Sequence, residues 1–226
     1  MLIATTLLSA TILQAQSVDE IVDKYIETRG GKEKMLSLKT VRMEGNMSVL
    51  GVIETLVVTK SHMIGTRVDI GIDGTNNYQV VTPDKSTMYM PSRGMTAPGD
   101  MPEDQIKAAR IQLDLQGVLL NYKDKGTKIS LLGKEKINDD DTYDLELTFL
   151  NGYIFHYYIS TTSYRLVKSR NYLDVNGQNI AIDTYFEDWK PNADGYWFPY
   201  TARNIQGATT FNKIETNIPI DPTIFK

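Results

Sequence analysis

From Thr40 the chain alternates apolar and polar residues one by one and, with a single interruption, keeps doing so to its end. Val41, Met43, Gly45, Met47 and Val49 interleave with Arg42, Glu44, Asn46 and Ser48. Successive side chains of a strand point to opposite faces, so a period of two reads as a half-buried strand. Similar runs cover about 53–60, 63–70, 76–82 and 86–90, with turns at Asp73-Gly74 and Pro83-Asp84. After Tyr122 the pattern returns, as in Tyr143, Leu145, Leu147 and Phe149 against Asp144, Glu146 and Thr148. Asn151-Gly152 signals a hairpin into a return strand, Tyr153 to Ser160. Strands near 164–173 and 179–188 flank Asn176-Gly177, Asp194-Gly195 joins the next pair, and a last strand covers about 209–217. About eleven or twelve antiparallel strands in succession must curl strongly or split into layers.

Helical spacing occurs twice. Ser17 and Glu20 form a capping box ahead of Val18, Ile21, Val22, Tyr25 and Ile26, which share one face. Gly30-Gly31 ends that helix, and a short second one is expected over Lys32 to Leu38. The interruption begins with a loop at 91–101, rich in Pro, Gly and Met, and continues as a helix over about 102–116. Pro102 suits a helix start and Glu103-Asp104 its positive dipole end. Ile106, Ala109, Ile111, Leu113 and Leu115 give it a broad apolar side, and Gly117 closes it. Both apolar stripes need a partner, so the helices are expected to cover the concave face of the curled sheet. The fold class is α+β: a strongly curved antiparallel sheet with an N-terminal helix and an inserted lid helix.

Composition removes most catalytic options. Cysteine is absent and there are two histidines, His62 and His156, which excludes disulfides, thiolate sites and imidazole-rich metal sites. The net charge of -4, without a basic stripe, argues against nucleic acid. No G-x-S-x-G elbow is present. His156 reads as a strand histidine and His62 as a solvated turn residue. Asp139-Asp140-Asp141 lacks calcium-loop spacing and reads as a hairpin tip. The chain is therefore taken as a non-enzyme with no cofactor and no metal. Met1 to Gln16 are apolar and uncharged, too short to span a membrane, and end in Ala15 before Gln16. This reads as a secretory signal peptide lacking its basic start, and 17–226 as one domain. With no cysteine to acylate, the exported protein is expected to be soluble and not lipidated.

Methionine is concentrated in the first half and aromatic residues in the second. Methionine is flexible and polarisable, and suits apolar surfaces that must adapt. Met43, Met47, Met63, Met88 and Met90 are expected to line one wall of a cavity, under a lid made by Ile106, Ala109 and Leu113. The plainer reading, that they fill an ordinary core, carries equal weight.

Taken in order along the chain, several short motifs resemble the LolA-like family, the Bacteroidetes-type outer membrane lipoprotein-sorting group above all. They are Val18 to Tyr25 leading into Gly30-Gly31-Lys32, Lys39 to Gly45, and Asp73-Gly74 with Tyr78 and Pro83. Met101 to Gln105, Tyr122 to Gly126, Leu132 to Glu135, Tyr185 to Trp189, Asp194 to Pro199 and Asn217 to Asp221 with Phe225 follow. The resemblance implies an unclosed half-barrel whose lid helices enclose acyl chains. It implies a periplasmic carrier of lipids or acylated lipoproteins, with transient membrane contact. A latch arginine beside a proline on an early strand marks the well-known carriers. Lys60-Ser61-His62-Met63 stands there instead, which leaves Lys60 and Arg67 as latch candidates. The alternative is an envelope sensor or scaffold that uses the same fold to bind a protein partner.

Overall fold

The computed structural model of the protein describes residues 16–49, 51–175 and 177–226. The expected leader, apart from Gln16, lies outside the described residues, as does Asn176 of the expected turn. Helix α1, Val18–Thr28, opens on the capping box: Ser17 Oγ accepts from Glu20 N–H at 3.2 Å, and the Glu20 carboxylate accepts from Ser17 N–H at 2.8 Å. Gly30 and Gly31, at φ +106° and +88°, turn the chain into α2, Lys32–Leu36.

The strands are β1 Thr40–Val49, β2 Val52–Ser61, β3 Gly65–Ile72, β4 Thr75–Val81, β5 Ser86–Tyr89 and β6 Gly99–Asp100. After helix α3, Glu103–Ile111, come β7 Lys128–Ile137, β8 Asp140–Thr148, β9 Ile154–Ser160, β10 Leu166–Val175, β11 Gln178–Pro191, β12 Trp197–Asn204 and β13 Gly207–Thr216. All pair antiparallel in one sheet, in the order β6-β5-β4-β3-β2-β1-β13-β12-β11-β10-β9-β8-β7. Two meanders thus meet where β1 pairs β13, with Val41 opposite Thr216 and Met43 opposite Ile214.

Thirteen strands stand where about eleven or twelve were expected, α2 ends at Leu36 rather than Leu38, and two further details differ. The stretch read as a loop at 91–101 contains β6, whose two residues pair with Thr87 and Met88. The helix expected over about 102–116 stops at Ile111 because its next turn is bound elsewhere. The Leu113 carbonyl accepts from Met63 N–H at 2.9 Å, and the Gln116 amide donates to the Leu36 carbonyl at 2.9 Å. The chain tightens into i→i−3 bonds from Gln112 to Asp114, and the Leu113 carbonyl is taken by Met63 instead of a following turn.

Helix α3 touches both β4 and β10, seven places apart in the sheet order. On a flat sheet that separation would be roughly 34 Å, at about 4.8 Å per strand. A nine-residue helix is only about 13 Å long. The sheet is therefore curved into a half-barrel, left open between its edge strands β6 and β7. Residues 101–127 connect those two edges across the concave side.

That side is largely filled by the chain itself. On β8 and β9, Leu145, Leu147 and Ile159 pack against Ile21 and Val22 of α1 and against Leu119 and Leu120. Leu38, Val41, Phe198, Tyr200 and Ile214 form a second cluster. Under α3, Val81, Met101 and Leu113 form a third, with Met88, Ile106 and Ala109 against it. Each fully buried side chain of this kind contributes about 1.5–3 kcal/mol. The continuous vacant groove that the sequence suggested is replaced by three packed clusters with smaller spaces between them.

Candidate functional site

Two of those spaces adjoin. An interior cavity of about 200 Å³ lies under the crossing segment, against Met43, Lys60, Phe155, Tyr157 and Phe198. A mouth cavity of about 480 Å³ lies between the β2–β3 turn, with His62 and Met63, and the β8–β9 turn, with Phe149 and Leu150. Ile111, Asp114 and Val118 border both. A more polar cleft of about 590 Å³ sits outside them, between Glu103 and Lys107 of α3 and the strands β9–β11.

Strand parity decides which groups reach the interior. Val81, Thr66, Lys60, Val41 and Thr216 stand opposite one another across β4, β3, β2, β1 and β13, so all five share the concave face. The Lys60 amine meets no hydrogen-bond or ion-pair partner among the described residues, and burial lowers its pKa to about 8. Arg29 follows α1. Its Nη1 donates to the Tyr25 hydroxyl at 2.9 Å and its Nε to the Trp197 carbonyl at 3.0 Å. Its guanidinium lies 5.6 Å from the Trp189 ring and 5.9 Å from that of Phe198, and it borders the same cavity. Among the described residues no carboxylate pairs with it. The Tyr157 hydroxyl also lacks a partner there, and burial raises its pKa.

The one carboxylate on the cavity wall is engaged elsewhere. Asp114 Oδ2 accepts from Lys125 Nζ, and Oδ1 stands 3.7 Å from His62 Nδ1. These last two atoms are buried without a hydrogen bond. Burial lowers the His62 pKa against the opposing pull of Asp114. The Met63–Leu113 backbone bond ties the β2–β3 turn to the crossing segment, with His62 packed beside Asp114.

The residues singled out in the sequence are dispersed. Met43 lines the interior cavity. Met47 shares its face further along β1 and is half-buried. Met63, 53% exposed at φ 57°, borders the mouth. Met88, Ile106, Ala109 and Leu113 form the cluster under α3. Met90 is buried at the start of the 91–93 turn, away from both cavities. Of the latch candidates, Lys60 faces inward. Arg67 is one residue out of phase and stands on the outer face, bound to Asp69 and the Ile224 carbonyl. The backbone bond that fastens the segment, Met63 to Leu113, and the His62–Asp114 contact beside it were not recognised, because their meeting depends on how far the sheet curls. His156 lies on the outer side of β9, 2.9 Å from Asp144. Among the described residues no cluster of three or more possible ligands could hold a metal, and no helix is long and apolar enough to cross a membrane.

Among solved structures, the chain is similar to a LolA superfamily protein from Nitrosomonas europaea. They are 17% identical, with a TM-score of 0.58 over 94% of this chain and 98% of that one. It is also similar to an outer membrane lipoprotein-sorting protein domain from Vibrio parahaemolyticus, at 16% identity and a TM-score of 0.50 over 91% and 94%. A DUF1329 family protein from Desulfovibrio piger matches at 13% and 0.51 over 92% and 97%. No family model and no curated protein matches. At these identities the likeness defines the fold, and that fold is LolA-like.

Proposed function

We propose that the protein is a periplasmic binder or carrier of apolar ligands, lipids or lipoprotein acyl chains, held between the curled sheet and the crossing segment. The observation that carries this reading is the mouth cavity walled by Met63, Ile111, Val118, Phe149 and Leu150. Its volume of about 480 Å³ falls within the roughly 300–1,000 Å³ of ordinary ligand pockets. Each methylene moved into such a site contributes about 0.8 kcal/mol. Leu150, 84% exposed, and Met63 present apolar side chains at its rim, where a hydrocarbon tail would first touch. A larger cargo requires the crossing segment to move, and its few ties to the β2–β3 turn are suited to that. The LolA-like fold supports the assignment, and an exported, unlipidated product accords with the leader read in the sequence.

Native mass spectrometry of the protein purified without detergent from the periplasmic extract of its native cell is the test. Co-purifying lipid or acylated peptide is expected. A protein that emerges empty and takes up no lipid from mixed micelles overturns the reading, and leaves the scaffold alternative.

A further inference from the structure

We propose that the interior cavity is a head-group site, taking the anionic end of a single-chain amphiphile, a carboxylate or phosphate, against Lys60 and Arg29. This rests on the function proposed above and adds the ligand's charge and its head-inward orientation.

Drawing a cation even partly out of water without a partner is costly, and Lys60 is half-buried. Where the fold buries a lysine on the outer face of the sheet, it supplies partners. Lys168, 2% exposed, has Glu135 at 3.6 Å and Asp183 at 3.7 Å, and its amine lies 3.7 Å from the Tyr158 ring centre. Lys60 has no such neighbours, and Arg29 on the same wall has only neutral ones. Two cations therefore face one cavity whose sole carboxylate, Asp114, is already taken by Lys125. The Tyr157 hydroxyl adds a free donor, and a planar guanidinium suits either oxyanion. A neutral head group would leave both charges unanswered.

Volume sets the orientation. About 200 Å³, at roughly 30 Å³ per water, holds an oxyanion and a few methylenes but not a long chain. The remaining hydrocarbon runs toward the mouth cavity, which shares Ile111, Asp114 and Val118. A soluble anion alone would waste the apolar walls of Met43, Phe155 and Phe198.

The test uses the delipidated full chain and chain-matched probes: hexadecanoate, hexadecyl phosphate and hexadecanol, with inorganic phosphate and acetate as chainless anions. Affinities are read by displacement of a fluorescent fatty acid at pH 7. Both long-chain anions are expected to bind at least about ten-fold tighter than hexadecanol. Lys60→Met should remove most of that preference and Lys60→Arg should keep it, with melting curves confirming that each is folded. Arg29→Gln gives a second, independent loss. Raising the pH to 10 should weaken hexadecanoate but not hexadecanol, as Lys60 gives up its proton near 8. The charged or titratable groups facing Lys60 are Arg29 beyond α1, Asp114 of the crossing segment and Tyr157 of β9. Tyr157, pushed up by burial, stays neutral across that range. Equal affinity for all three long probes overturns the head-group site and leaves the apolar binder standing. Binding of none overturns both. Displacement by inorganic phosphate or acetate alone, as effective as hexadecanoate, overturns the amphiphile in favour of a soluble anion.

Discussion

Lys60 concentrates the tension between stability and function. The unfolded chain holds its proton up to the ordinary value of 10.5, the folded chain only to about 8. Between those values the unfolded state binds more protons, so stability rises with pH. Below 8 the cost of the partly buried charge is present in full. Lys60→Met is therefore expected to stabilise the empty protein by roughly 1–3 kcal/mol at pH 7. That gain should shrink as the pH climbs from 8 to 10.5, which denaturant melts of both proteins can follow. A destabilised Lys60→Met protein would mean that the amine has a partner in solution. Lys60 stood out in the sequence only as a latch candidate that the LolA-like resemblance implied. Nothing local told that its face is the buried one, because alternation gives two faces without saying which is inside. Arg67 shows the same limit with the opposite outcome.

At the level of elements, the crossing segment is what covers the concave side between the sheet's two edges. Its apolar residues were legible as a helical stripe, and Ile106, Ala109 and Leu113 do pack together on Val81 and Met101. The helix end was not legible, since Leu113 and Gln116 are claimed by residues about fifty and eighty positions away in the chain. The fastening at His62 and Asp114 is sensitive to acid. Burial keeps His62 neutral when folded, below its ordinary value of 6.5, so on acidification the opened state gains the proton first. Contact between the β2–β3 turn and the segment should therefore weaken as the pH falls through 6.5. Amide exchange over residues 112–118, corrected for intrinsic rates, should show more opening at pH 5.5 than at 7.5. A His62→Phe protein should lose that dependence.

For the molecule as a whole, the decisive pairing is β1 with β13. It joins residues more than 150 positions apart, as in Val41 opposite Thr216. Such distant contacts make for slow folding. The antiparallel direction of the strands could be read from the alternation, but their number came out at eleven or twelve against thirteen, because the two-residue β6 is too short to show a period. That the first and last should lie side by side in the middle of the sheet could not, because pairing partners leave no mark in either strand alone. Removing residues 207–226 would strip β13 and uncover both β1 and β12 along their hydrogen-bonding edges. The truncated chain is expected to aggregate or remain unfolded, and loss of a cooperative melt by circular dichroism checks this. The outer edge β7 meets the same hazard with charge, exposing Lys128, Lys134, Glu135 and Lys136.

The two free margins of this arc are tied by residues 101–127, as the limbs of a bow are tied by its string. Whatever spreads the limbs tightens the string across its own way out. On the proposed carrier reading, grip then grows with the girth of the guest, and unloading falls to whatever flexes the arc inward and slackens the cord.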